Sequence, residues 1–327
     1  MKKSIIFLLI LIFLVLLTIN AWADRVEKVI EESFLLQKTG SFSLNNVAGN
    51  IMVYSWDKEE VKMVATKSIS SWGIGDPEEF LDKIEIEIVS QPGTLKIHTR
   101  YPVFSWIRNA RVGYQLWIPE ATSVRLESIS GTIQMEEHLN RVYAKTVSGN
   151  IKLNNIKGNV EVNTTSGDVV IGNVQGDLAW SSTSGDLDLA NLVGDLDLHT
   201  TSGEVSGQEI NGDIKAGSVS GDLAFLDSQG GLSYLHTTSG KIRAELKVID
   251  KDASGMSLST VSGDITLYLP EDASFDLDIN TISGEINTGF KVLIDSVSER
   301  KLQGKVGTGG LIIELKTVSG DISLKKL

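Results

Sequence analysis

Most of the residues that could do chemistry in this chain sit in one recurring phrase. It reads Ser166-Gly167-Asp168-Val169, Ser184-Gly185-Asp186-Leu187, Ser202-Gly203-Glu204-Val205, and so on along the sequence. Gly131, Gly149, Gly167, Gly185, Gly203 and Gly221 fall 18 residues apart, and Gly240, Gly263, Gly284 and Gly320 repeat the phrase at looser spacing. Glycine-aspartate turns hold calcium in some β-rolls. Here the residue after each glycine runs Thr132, Asn150, Asp168, Asp186, Glu204, Asp222, Lys241, Asp264, Glu285, Asp321. A lysine in that column opposes a shared cation, and the ligand set is inconsistent. The expectation is that Asp and Asn suit turn geometry while each glycine supplies a positive φ. The repeated serines, with Thr146, Thr164, Thr200, Thr237, Thr260, Thr281 and Thr317 two places further back, have the type of nucleophiles. Ten equivalent serines cannot each have a base, so a ladder of hydroxyls bonding stacked neighbours and the turn backbone is expected.

Other candidates are fewer. The histidines are His98, His138, His199 and His236. His199 and His236 share a repeat position two units apart, which is ~9.6 Å if repeats stack as strands, too far for one directly bound metal. Gly307-Thr308-Gly309-Gly310 has the look of a phosphate loop but lacks the following Lys-Ser/Thr and runs into Leu311-Ile312-Ile313, a strand. Glu136 with Glu137, or Asp186 with Asp188, are carboxylate pairs of the kind glycoside hydrolysis uses, though nothing separates them from a solvated acidic face. Trp72, Trp106 and Trp117 are candidate partner-binding residues, because exposed aromatics anchor partners; Trp117 alternates with Leu116 and Ile118 and is expected to face outward. No catalytic, cofactor-binding or metal residue emerges.

Composition sets the frame for these groups. The chain has 327 residues, 41% of them hydrophobic, 31 glycines, 5 prolines and no cysteine, so disulfide and thiol chemistry are absent. Lys2 and Lys3 precede an apolar run from Ile5 to Ile19, and Ala21-Trp22-Ala23 is a small-x-small cleavage signal. Residues 1–23 therefore read as a secretory signal peptide, shorter than a spanning helix, and no stable membrane insertion is expected after cleavage. Losing Lys2 and Lys3 takes the formal charge from −12 to −14. An exported chain this acidic is repelled by phosphate backbones, so nucleic acid is not an expected partner.

The elements that carry the phrase follow from its periodicity. After each glycine the second residue is aliphatic (Ile133, Ile151, Val169, Leu187, Val205, Leu223) and the fourth usually apolar, with Gly207 and Thr288 as exceptions. Period-2 alternation makes strands, and Gly158, Gly176, Gly194 and Gly212 mark a second turn midway. An all-β solenoid is predicted, with coils of about 18 residues and two short strands per coil, stacked so that each apolar column is buried by its neighbours. Residues 121–327 form these coils, with exposed insertions around Val248–Gly255 and Gly289–Gly309; Asp295 to Arg300 reads as a loop. Residues 24–120 read as an irregular β portion continuous with them. It holds one short helix capped by Asp76 with Pro77 at its first position, and a hairpin turning at Pro92-Gly93.

These features together carry a resemblance. Asn50-Ile51-Met52-Val53-Tyr54-Ser55-Trp56-Asp57, Leu116-Trp117-Ile118-Pro119, the repeated Thr-Ser-Gly-Asp phrase and the closing Thr317-Val318-Ser319-Gly320-Asp321-Ile322 resemble the bacterial β-strand-repeat family of candidate adhesins, also called toastrack, a domain of unknown function. The resemblance implies a solenoid fold and a place in the periplasm, on the cell surface or outside the cell, and brings no catalytic residues and no cofactor. The expected function is a non-catalytic adhesin or protein-interaction scaffold whose partner is an envelope or surface protein or a glycan. The alternatives are a periplasmic component of envelope-stress sensing and a polysaccharide-active β-helix enzyme.

Overall fold

Residues 25–70, 76–102, 110–250, 253 and 255–327 are described by the computed structural model of the chain. The chain begins with β1 (Arg25–Leu35), β2 (Ser41–Ala48), β3 (Ile51–Trp56) and β4 (Glu60–Ser70). Helix α1 (Pro77–Asp82) precedes β5 (Glu85–Gln91), β6 (Thr94–Arg100) and β7 (Arg111–Pro119). The regular coils are β8 (Ser123–Ser130) with β9 (Ile133–His138), β10 (Val142–Ser148) with β11 (Ile151–Lys157), β12 (Val160–Thr164) with β13 (Val169–Gln175), and β14 (Leu178–Ser182) with β15 (Leu187–Val193). β16 (Leu196–Thr200) leads into β17 (Val205–Ser218) and β18 (Leu223–Ser239), which each run through a corner and serve both faces. β19 (Ile242–Ile249), β20 (Met256–Ser262), β21 (Ile265–Leu269), β22 (Phe275–Ser283) and β23 (Ile286–Thr288) continue the stack. β24 (Val292–Ser298) and β25 (Lys301–Val306) precede the last coil, β26 (Leu311–Ser319) with β27 (Ile322–Lys326).

Successive coils pair in parallel with equivalent residues opposite one another: Val142 faces Val160, Val160 faces Leu178, and Leu178 faces Leu196. One face runs β6–β2–β8–β10–β12–β14–β16–β17–β18–β20–β26–β22. The other runs β7–β3–β9–β11–β13–β15–β17–β18–β19–β21–β27–β23. The predicted apolar columns are the core between them. Ile133, Ile151, Val169, Leu187, Val205, Leu223, Ile242, Ile265 and Ile322 are all buried. Gly207, an exception in its column, makes room for the ring of Phe225 one coil on; a Cβ there would sit 2.7 Å from the ring.

Three details differ from the sequence reading. The solenoid begins before residue 121: β2 and β3 are already a coil in register with β8 and β9 (Leu44 opposite Leu126, Ile51 opposite Ile133), separated from them in sequence by β4 to β7. The segment around Asp295–Arg300 is not a loop throughout. β24 and β25 form an antiparallel hairpin, and β25 pairs along β22, so the excursion is held by backbone bonds. Finally, of the ten corner glycines only Gly131, Gly263 and Gly320 take a positive φ in the left-handed range. The reason for glycine is closeness instead. A Cβ on Gly149 would stand 2.1 Å from the carbonyl oxygen of Gly131, and one on Gly221 2.0 Å from that of Gly203. The left-handed conformation occurs elsewhere, in a column without glycine: Glu137, Asn155, Asn173, Asn191, Glu209 and Asp227 have φ of 54–59°. That residue bends the second strand of each coil and turns a further core column inward, through Ile156, Val174, Leu192 and Ile210.

At the N-terminal end β4 pairs antiparallel with β7, β1 with β4, and β5 with β6. Helix α1 starts as predicted: Asp76 accepts from the backbone N–H groups of Glu78 and Glu79, and Pro77 occupies the first turn. Its last turn is held by the buried Lys67, whose ammonium donates to the carbonyls of Leu81 and Ile84 at 3.3 and 2.5 Å. Burial, reinforced by nearby Lys28, pulls the Lys67 pKa below the ordinary lysine value.

Candidate functional site

The Ser-Gly-Asp corners are engaged in holding coils together. The side-chain oxygen of the residue after the glycine accepts a hydrogen bond from the equivalent backbone N–H of the next coil. Asn150 accepts from Asp168 at 3.1 Å, Asp186 from Glu204 at 2.8 Å, Asp222 from Lys241 at 2.7 Å and Asp264 from Asp321 at 3.1 Å. The second corner repeats the arrangement, with Asn159 accepting from Asp177, Asp177 from Asp195 and Asp195 from Asp213. Lys241, the one cation in its column, reaches forward to Asp264 at 3.2 Å. The Asp264 carboxyl is held below its ordinary pKa first by the Asp321 N–H and then by Lys241. Among the described residues no group of three or more His, Cys, Asp and Glu is placed to hold a metal.

The hydroxyl ladder forms in part. Thr237, Thr260, Thr317 and Thr281 donate to the carbonyls of Gly221, Gly240, Gly263 and Gly320 in the adjoining coil at 3.1–3.2 Å. Thr146 and Thr200 are buried at the same position without a hydrogen-bond partner. In the Gly307–Gly310 turn, the N–H groups of Thr308 and Gly310 donate to Ser274 and to the carboxylate of Asp276. An acidic group thus stands where a phosphate would need to sit.

The histidines separate by environment. His199 is exposed beside Asp197, and His236 bonds Ser259 at 2.9 Å and stacks on Tyr234. His138 is 1% exposed and fills a core position opposite Ile156. Its Nε2 lies 2.6 Å from the Thr122 carbonyl and its Nδ1 2.9 Å from the Ser55 hydroxyl. The carbonyl accepts only, so Nε2 carries the proton and Nδ1 accepts from the serine. Burial pushes the His138 pKa below the ordinary histidine value. The sequence signal for this residue was its offset from Gly131, which in later coils is occupied by Ile156, Val174 and Leu192.

Around Trp117 the structure gathers a second aromatic ring and a cation. It lies on the outward side of β7 and is half-buried, opposite Tyr54 on β3; the two rings stack at 5.4 Å. Lys62 on β4, opposite Trp117 in the antiparallel pair, holds its ammonium 5.5 Å from the Trp117 ring centre and pairs with Glu31 at 2.6 Å. Rings on neighbouring strands make a platform because side chains opposite in a sheet stand side by side. Tyr54 was the missed partner: it alternates with Ile51 and Val53 inward, which places it on the outward side. Trp72 and Trp106 lie outside the described residues. The opposite face carries a cleft of about 590 Å³ around Ser43, Lys96, Arg125, Arg141, Tyr143 and Glu161. There Arg125 stacks on Tyr143 and pairs with Glu127, and Arg141 pairs with Glu161. No helix among the described residues is long and apolar enough to cross a membrane; residues 1–23 lie outside them.

A model of the Toastrack DUF4097 family matches residues 45–234 and 224–325. Among curated proteins no relative matches. Similar solved structures include a candidate cell adhesion protein from Clostridium sporogenes (12% identity, TM-score 0.22, covering 91% of this chain and 99% of that one). A candidate adhesin from Bacteroides fragilis gives 14% identity, TM-score 0.42 and coverage of 92% and 97%. A candidate lipid binding protein from Parabacteroides distasonis gives 14% identity, TM-score 0.32 and coverage of 91% and 96%.

Proposed function

The chain belongs to the Toastrack DUF4097 family, and from that premise we propose that it is a non-catalytic, exported binding scaffold of the cell envelope, an adhesin-like protein. The observation that supports this most is the outward Tyr54–Trp117 pair with Lys62 beside it. Stacked rings on a rigid sheet offer a flat apolar surface with polar edges, which suits the face of a sugar ring or an apolar side chain of a surface protein. Asp186, one of the carboxylates that could serve glycoside hydrolysis, accepts a coil-to-coil backbone bond from Glu204, which supports a structural role for it.

The test is binding by the purified protein to isolated envelope polysaccharides and to purified surface proteins, followed by tryptophan fluorescence. Trp117→Ala and Tyr54→Ala are each expected to weaken binding at least about tenfold, the loss of ~1.4 kcal/mol that a truncated anchor residue commonly brings. Each change removes one ring of the stacked pair, so a lower melting temperature of a few degrees is expected with the fold retained, which thermal unfolding checks. Unaltered binding by both variants, or no binding to any of these ligands, would remove the reading; release of reducing sugar from a polysaccharide would replace it with an enzymatic one.

A further inference from the structure

A stack of coils has two ends, and each end leaves strands with one unpaired edge. Such edges recruit other strands unless something blunts them. At the N-terminal end the blunting is visible. On β1, Lys28 and Glu32 occupy positions opposite Lys67 and Met63, pointing charge towards the inner side. Lys28 pairs with Asp82, and β5 alternates Glu85 and Glu87 with its isoleucines.

The C-terminal end is built differently. β24 pairs with β25 along one edge, and among the described residues its other edge pairs with nothing. Its sequence is Val-Leu-Ile-Asp-Ser-Val-Ser, with one charge. Leu293, Ile294 and Val297 are 69%, 57% and 63% exposed. Val292, Ile294 and Val297 stand opposite Val306, Gly304 and Leu302, so the buried apolar side of β25 continues onto β24, where Val292 packs against the core while Ile294 and Val297 are uncovered.

We propose that the outer edge of β24 pairs antiparallel with the same edge of a second copy of this chain, joining two solenoids at their C-terminal ends about a two-fold axis. The occupant follows from the order of charges. Lys291-Val292-Leu293-Ile294-Asp295 reads as cation, three apolar residues, anion. Reversed about Leu293, Val292 of one copy meets Ile294 of the other on the same side of the sheet, and Lys291, one residue before β24, comes level with Asp295, the residue bulged out of the ladder with β25, twice. A parallel pairing would set lysine beside lysine and aspartate beside aspartate, which is unfavourable. Among the described residues neither Lys291 nor Asp295 forms an ion pair within its own chain. An isologous contact of this kind closes on itself, so it gives a dimer and not a filament.

The test is sedimentation of the purified protein over a concentration series, with melting temperature as the control for folding. A reversible monomer–dimer equilibrium is expected. Leu293→Lys, which puts like charges at the axis, should leave monomer only. Lys291→Glu and Asp295→Lys should each weaken the dimer about tenfold or more, and the two together should restore it. If Leu293→Lys fails to fold, the charge-exchange series decides alone. Monomer at every concentration, a dimer indifferent to these changes, no rescue by the double exchange, or open-ended assemblies would each overturn the proposal.

Discussion

Asp186 illustrates what the polar residues of this protein do. Its carboxylate accepts the backbone N–H of Glu204 at 2.8 Å, a bond between coils that Asn150 makes equally well. The role needs an acceptor at short reach, which explains why Asp and Asn alternate in the column while Glu204, Thr132 and Lys241 take part there through their own N–H groups. Asp186→Asn is therefore expected to change unfolding stability by only a few tenths of a kcal/mol, and Asp186→Ala to lower it by about 1 kcal/mol. Urea denaturation distinguishes them, and equal stability of the two variants would show that the bond contributes nothing. His138 supplies a pH effect at the same scale. Its folded pKa is depressed by burial, so the unfolded chain takes up a proton near pH 6.5 before the folded chain does. Stability is thus intact above about pH 6.5 and falls as pH drops from there towards the folded value, by up to ~1.4 kcal/mol per pH unit. Below about pH 6.5, His138→Gln should flatten that slope relative to the unaltered protein. Parallel stability–pH curves for the two proteins would count against a neutral buried imidazole.

At the level of the coil, glycine positions divide by what lies above them. A Cβ on Gly185 would fall 2.3 Å from the Gly167 carbonyl oxygen, between two backbones that cannot move apart without breaking the ladder. Gly185→Ala should cost about 2–3 kcal/mol, in the range of overpacked cores. Gly217 is a strand glycine whose added Cβ would meet nothing nearer than His199 at 3.7 Å. Gly217→Ala is expected to be neutral or stabilising by roughly 0.4–1 kcal/mol, through the unfolded chain. Thermal unfolding of the pair tests this, and similar melting temperatures would mean that backbone contact is not what selects glycine. This distinction was only half legible in the sequence. The period of 18 and the columns of Ile151, Val169 and Leu187 were readable because burial repeats with the coil. The cause of the glycine was not, since a turn needing positive φ and a turn needing closeness leave the same residue behind. Nor was the bend at Asn155, Asn173 and Asn191, because a left-handed asparagine looks like any polar surface residue. Trp117 was legible by alternation, whereas its contact with Tyr54 joins residues 63 positions apart and depends on how the insertion folds back.

Across the whole molecule, the order of coils in space departs from their order in the chain. The last coil does not end the stack. β26 lies between β20 and β22, and β27 between β21 and β23, with parallel pairing on both sides. Leu315, Thr317 and Ser319 stand opposite Leu258, Thr260 and Ser262 on one side and Ile279, Thr281 and Ser283 on the other. Chain ends ordinarily fray, because one edge of a terminal element is unpaired. Here β26 and residues Ile322 to Leu324 of β27 have both edges occupied, and the outermost coil is an internal one, β22 with β23, with the β25–β24 hairpin laid along the outer edge of β22. The amides of β26 and of Ile322 to Leu324 should therefore exchange with solvent as slowly as those of the central β13 and β15, and about two orders of magnitude more slowly than those of β5, whose outer edge pairs with nothing among the described residues. Native-state hydrogen exchange read by residue measures this directly. Fast exchange from Ile322 to Leu324, at the rate of β5, would mean that the last coil docks only at the end of folding and leaves readily; slow exchange there makes it the element that fastens the C-terminal third of the solenoid, and its removal should release β22 to β25 together.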